Sequence, residues 1–249
     1  MRTLKLLESG LESRLIPEAA YAAAYAKTGG RGRALLKKCI ARLYRVFGES
    51  ALAEEHISRF REGFTLRTGE FPAAFALFAC EAAHAGAPLC LAALLPALLA
   101  GAPVLFCFVP GRKPFPSPRL LTALELAGVE KSYLAPEAEI LRVLRKTGSG
   151  CRGGRAVLLG HPEDSAGIAA FAHANAMPCL SLTHAPPLLV IRGGLMPSPG
   201  KEPGAPSLTV DADHADFRLW PGLDPGWFRE RSFALASAGN GAACHERQP

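Results

Sequence analysis

The sequence predicts an α/β fold: a parallel sheet with helices on both faces, preceded by a helical N-terminal region. Short apolar runs recur at VLFCFV (104–109), SYL (132–134), AVLLG (156–160), CLSL (179–182) and LLVI (188–191). They are continuously apolar rather than alternating, the pattern of strands buried on both faces. Segments carrying helix start and stop signals separate them, and strands alternating with helices imply a parallel sheet.

The elements follow in order. Residues 1–65 read as helices punctuated by Gly10, Gly29, Gly30 and Gly48, because apolar residues in ALLKKCIARLYRVF recur every three or four positions. Within them Arg31, Arg33, Lys37, Lys38, Arg42 and Arg45 cluster, with Lys38, Arg42 and Arg45 on one stripe, which reads as a solvated helix face. From Ala82 to Val109 there is no Asp, Glu, Lys or Arg. That length would span a bilayer on counting alone, but Pro88, Pro96, Pro103, Gly86 and Gly101 divide it into a buried helix, a turn and a buried strand.

The next helix, 116–128, has Ser117 and Pro118 at its start and Gly128 at its stop. The helix at 136–146 places two Glu in its first turn and basic residues in its last, which complements the dipole. A third, 164–177, begins at Asp164 or Ser165 as N-cap. After Ile191 the regularity stops, and PSPGKEPGAP (197–206) reads as a linker. A last helix is expected over 224–239, capped by Asp224 and packed back through Trp220, Trp227, Phe228 and Phe233. The expected units are a helical region at 1–65, a sheet domain at 66–192, and a linker with a terminal helix at 193–249.

Composition bounds the rest. With 249 residues, 49% hydrophobic and 20% charged, the chain is long enough to bury a sizeable core, while 25 Gly and 21 Pro imply many turns. The net charge of +6 is spread too widely for a nucleic-acid face, so nucleic acid is not an expected partner, nor is a membrane. Seven cysteines form no CxxC or Cys/His knuckle, and several sit inside apolar runs, as in a reducing compartment. The charged N-terminus is no secretory signal, so the cytoplasm is expected. No metal site is expected: the carboxylates of DADHAD (211–216) have no ligand spacing. The glycines of TGSGCRGGR (147–155) precede a strand, whereas phosphate-binding glycines follow one.

Three stretches carry a resemblance. PLCLAALLPALLAGAPVLFCFVP (88–110) is similar to the helix, turn and buried strand of aldehyde dehydrogenases. LLTALELAGVEKSYLAPEAEILRVL (120–144) is closer to histidinol dehydrogenase, and AVLLGHPEDSAGIAAFAHANAMPCLSLTHAPPLLVI (156–191) again resembles aldehyde dehydrogenases. The resemblance is to the nucleotide-binding half of the aldehyde/histidinol dehydrogenase superfamily, stopping where the catalytic half would begin. It implies a Rossmann-like domain over 66–192 that binds NAD or NADP.

Residue by residue, the resemblance implies an altered site. The family's cofactor Lys falls near Cys107 or Phe108, and Lys113 follows as a substitute. The phosphate turn becomes GHPEDS, where Gly160, His161 and Ser165 are the candidate cofactor contacts and Pro162, Glu163 and Asp164 oppose an anion. The general-base Glu falls on Ser181, with His184 two or three residues away as the candidate base, and Cys244 in ASAGNGAACHERQ as the candidate nucleophile. The expected function is a dehydrogenase-like domain that lacks dehydrogenase activity and binds a nucleotide, small molecule or protein partner, a homodimer included. The alternatives are a small NAD(P)-dependent oxidoreductase using Cys244 with His184 or His161, and a basic interaction protein using helix 31–47.

Overall fold

The computed structural model describes residues 2–48, 55–83, 86–111, 113–160, 165–182, 219, 220, 222–237 and 244–247. Three helices open the chain: α1 (Arg2–Leu11), α2 (Glu18–Lys27) and α3 (Gly30–Phe47). They are followed by β1 (Glu55–Arg59) and β2 (Phe64–Pro72), so the helical region ends at Phe47 rather than near 65. The Rossmann-like unit then runs β3 (Phe75–Glu81), α4 (Ala87–Leu99), β4 (Val104–Val109), α5 (Pro118–Leu126), β5 (Ser132–Leu134), α6 (Glu137–Thr147), β6 (Gly154–Leu159), α7 (Ala166–Ala174) and β7 (Cys179–Leu182). A short 3-10 turn at Pro225–Phe228 leads into β8 (Arg229–Ser237), and β9 (Cys244–Arg247) completes the described chain.

The parallel sheet has the order β5-β4-β3-β6-β7. Its central strand, β3, was absent from the expected set. FALFACE carries Ala, Cys and Glu, which have weak strand preference, yet all seven residues are buried. The alternation of β3 shows why: Phe75, Leu77 and Ala79 enter one hydrophobic cluster and Ala76, Phe78 and Cys80 the other. The first cluster is roofed by α1, α6 and α7 through Leu7, Leu11, Ile140, Leu144 and Ile168. The second is roofed by α2 to α5, where the stacked Phe78 and Phe106 rings, 5.8 Å apart, meet Leu91 and Leu94 of α4. Helices therefore cover both faces, as expected.

Start and stop chemistry holds at α5, where Ser117 Oγ accepts from Leu120 N at 3.4 Å and Gly128 sits at φ +84° beyond the end. α4 has 13 residues, and among the described residues no helix is long and apolar enough to cross a membrane. On α3, Leu36, Cys39 and Leu43 are buried while Arg31, Lys37, Lys38 and Arg45 are exposed. Arg33 instead closes the end of α2, donating to Tyr25 O at 2.9 Å and Thr28 O at 2.6 Å.

The helix expected over 224–239 is not there. Asp224 does cap, its carboxylate accepting from Trp227 N at 3.1 Å, but only a single 3-10 turn follows. Residues 229–237 form β8, which pairs with β2 along nine positions, from Phe64↔Ser237 to Pro72↔Arg229. A full ladder with β2 outweighs the helix preference of the Ala and Leu in FALASA. The result is a second, antiparallel sheet of order β1-β2-β8-β9. Trp220 and Phe228 pack into the core as expected, and Trp220 Nε1 donates to Leu89 O at 2.9 Å, whereas Phe233 is 40% exposed on the strand. The expected strand at 188–191, the 197–206 linker and the 211–216 carboxylates lie outside the described residues.

Candidate functional site

The chain enters the parallel sheet at its middle strand. It moves outward through β4 to β5, then returns to the other side of β3 for β6 and β7. The direction reverses between β3 and β6, so the carboxyl ends of these two strands form the topological switch point, where open α/β sheets have their crevice. In open α/β sheets ligands occupy this place.

Two residues meet at that point. Glu81 ends β3, is 7% exposed, and lies level with Val109 of β4, whose carbonyl accepts from Ala82 N at 2.9 Å. Gly160 follows β6 with φ +123°, and a Cβ there would meet Glu81 Cβ at 2.5 Å and Oε2 at 3.0 Å. Only glycine combines that backbone conformation with that approach. The role of Gly160 in the described structure is thus to let the β6 turn pass over Glu81. Glu81 was missed by sequence reasoning. The signal was present: it is the last acid before the uncharged run from Ala82 to Val109.

The helix after β6 is already supplied with an anion. Ser165 occupies the N-cap position of α7 and is 6% exposed, but its side chain makes no capping bond. Glu137, from the first turn of α6, takes that role: its Oε1 accepts from Ile168 N at 2.9 Å, and a Cβ on Gly167 would lie 3.0 Å from the same oxygen. A helix N-terminus offers unpaired N–H groups and a partial positive charge to an anion. Here one of those donors and the dipole are satisfied from within the protein.

The expected cofactor residues are distributed accordingly. Gly160 and Ser165 flank the crevice, and Lys113 is exposed in the bend after β4. His161 and His184 lie outside the described residues. Cys244 opens β9, opposite Leu235 of β8. That places it far from Gly160: β8 leaves the molecule from the amino ends of β3 and β6, where Ala73 N donates to Phe228 O at 2.8 Å and Arg155 Nη2 to Arg229 O at 3.0 Å. β6 alone, Gly154–Leu159, separates the two ends by about 20 Å at the usual rise per residue. The structure does not bring Cys244 and the crevice together.

Two of the buried thiols are quiet. Burial, then contact with the Cys90 thiol, pushes the Cys80 thiol well up, and burial does the same to Cys107. Cys80 Sγ lies 3.6 Å from the Glu81 carbonyl oxygen. Thiols held protonated are poor nucleophiles. Among the described residues no His, Cys, Asp and Glu group together as metal ligands.

No family model matches the sequence, and no curated protein does. Solved structures do. Histidinol dehydrogenase from Elizabethkingia anophelis superposes with a TM-score of 0.53 at 14% identity, over 72% of this chain and 40% of its own. The chain has the fold of that part of histidinol dehydrogenase. It spans two fifths of the histidinol dehydrogenase length, and shares the Rossmann-like sheet with it. An aldehyde dehydrogenase from Burkholderia cenocepacia gives 0.44 at 16% identity over 77% of this chain and 38% of its own. Betaine aldehyde dehydrogenase from Staphylococcus aureus, solved with NAD+, gives 0.44 at 14% over 70% and 38%.

Residues 161–164, between β6 and α7, lie outside the described residues. Glu81 and Glu137 are the charged side chains at the described ends of β3 and α7.

Proposed function

We propose that this chain is a ligand-binding domain on a histidinol dehydrogenase-type scaffold that carries out no hydride transfer. Its crevice at the carboxyl ends of β3 and β6 takes a small molecule through Glu81. The observation behind this reading is the Glu137 carboxylate on Ile168 N, which fills the helix terminus that a cofactor phosphate would use. With Glu81 beside Gly160, the crevice favours hydroxyl, amino or cationic groups over phosphates. The distance of Cys244 from the crevice argues in the same direction, since a nucleophile must reach the atoms it attacks.

Nicotinamide riboside and NAD+ share a cationic, hydroxyl-bearing nucleoside and differ in the pyrophosphate and adenosine. Calorimetric titration of the full chain is expected to give tighter binding of nicotinamide riboside, weakened about tenfold or more by Glu81→Gln. No NADH is expected to form with histidinol or aldehydes as substrates. NAD+ binding tighter than the riboside, or any steady NADH formation, overturns the reading.

A further inference from the structure

Two thiols meet at the carboxyl end of β3. Cys80 stands next to the last residue of that strand, and Cys90 lies in the first turn of α4. Both are fully buried in the cluster roofed by α2 to α5, and the two thiols are hydrogen-bonded to each other. Cys107, level with Ala79 on the neighbouring strand, faces the opposite cluster, as does Cys151.

The surroundings limit what such a pair can become. The cluster that holds both is apolar, with Phe78, Leu91, Leu94 and Phe106 among its members, and a lone thiolate would place charge there at high cost. Burial accordingly pushes the Cys80 thiol up. A disulfide is as neutral as the two thiols and adds no atom to the core.

Access comes from the helix end. Ser117 caps α5, but Gly86 at the N-cap of α4 brings no side chain to the first-turn N–H groups, and that turn contains no acid to meet the dipole. The first helical bond is the one from Cys90 N to Gly86 O, at 2.9 Å. An uncapped end opens locally at far lower cost than the whole fold, and opening this one turn frees Cys90 Sγ.

We propose that Cys80 and Cys90 are a redox pair, closing a reversible disulfide that ties the carboxyl end of β3 to the start of α4. While the turn is open, the Cys90 thiol gives up its proton and attacks one sulfur of a small disulfide, expelling one thiolate. The Cys80 thiol then gives up its proton and attacks the Cys90 sulfur of the mixed disulfide, expelling the second. The pair is oxidised by two electrons, and the small disulfide leaves as two thiols carrying the two protons. Because Glu81 follows Cys80 directly, the oxidised state pins the backbone at the crevice, whatever the crevice binds.

Hydroxyethyl disulfide added to the reduced full chain, without denaturant, tests this. The expected product is lighter by two hydrogens, and its peptide map links Cys80 to Cys90. It melts about 5 °C higher than the reduced chain, as closing a short loop stabilises a protein of this size. Hydrogen exchange in the first turn of α4 slows, and dithiothreitol reverses every change. Cys90→Ala and Cys80→Ala each remove the linkage and the rise in Tm on oxidation, and the wild-type map tests the pairing without either variant. A link from Cys80 or Cys90 to any other cysteine, a lasting mixed disulfide at Cys90, a linked chain melting no higher than the reduced one, or a wild type that keeps both thiols until urea unfolds it overturns the proposal.

Discussion

Replacing Glu137 by Gln separates the two roles of that side chain. Gln keeps an oxygen able to accept from Ile168 N, now 2.9 Å away, and removes the negative charge. Losing the charge at a half-buried helix N-terminus costs about 0.5–1.5 kcal/mol, from the dipole and from exchanging a charged acceptor for a neutral one. For a chain of this size that lowers Tm by about 2–5 °C. The same change removes about 4 kcal/mol of repulsion towards a phosphate 4 Å away at a dielectric of 20, and salt screening still leaves at least a tenfold gain. Differential scanning fluorimetry reads the first effect and calorimetric titration with NAD+ the second. Glu137→Gln should therefore bind NAD+ more tightly than the wild type while melting lower. If it melts lower with unchanged NAD+ affinity, the carboxylate stabilises α7 without excluding the phosphate, and the account of the crevice fails.

Two further outcomes follow from buried groups. Arg155, 6% exposed, ties the parallel sheet to the segment that starts β8, donating to Trp227 O at 3.0 Å and to Arg229 O at 3.0 Å. Arg155→Met leaves those carbonyls and Glu230 without it, and should cost about 2–4 kcal/mol in urea denaturation. Hydrogen exchange should rise along β8, and unchanged exchange there would refute the link. Burial raises the pKa of the Cys80, Cys107 and Cys151 thiols and of the Tyr21 and Tyr133 phenols. Below the unfolded thiol value of about 8.5 both states hold these protons. Above it the unfolded chain releases them first, so stability falls as pH rises, by up to about 1.4 kcal/mol per unit for each fully buried thiol. A urea midpoint that is unchanged between pH 7.5 and 10 would contradict this.

The helices and flanking strands of the Rossmann-like unit were legible because their signals are local. Ser117, Pro118 and Gly128 bound α5 by their own chemistry, and VLFCFV is apolar and β-branched or aromatic through most of its length. β3 and β8 were not legible, since Ala, Leu and Cys become strand only through neighbours far along the chain. β3 is held between β4 and β6, and β8 against β2. The site divides in the same way. Gly160 could be named from its place after an apolar run, but its reason, the approach to Glu81, belongs to the pairing of β3 with β6. The first-turn Glu137 reads in sequence as a dipole partner of its own helix. Only the packing of α6 on α7 turns it towards another.

The antiparallel sheet also sets an order of assembly. Glu70 and Arg231, which bond across β2 and β8, are 161 residues apart in sequence. Closing a loop of that length from a disordered chain costs about 4–5 kcal/mol in entropy. The cost disappears once the Rossmann-like unit has formed, because its amino edge already holds Ala73 against Phe228. The β1–β2 hairpin must therefore wait, with its long edge uncovered, until residues 229–237 arrive. Contacts of such long sequence separation slow folding. Zipping of β8 onto β2 is therefore expected late in folding, and conditions that delay it would prolong the time in which that edge is open to the wrong strand.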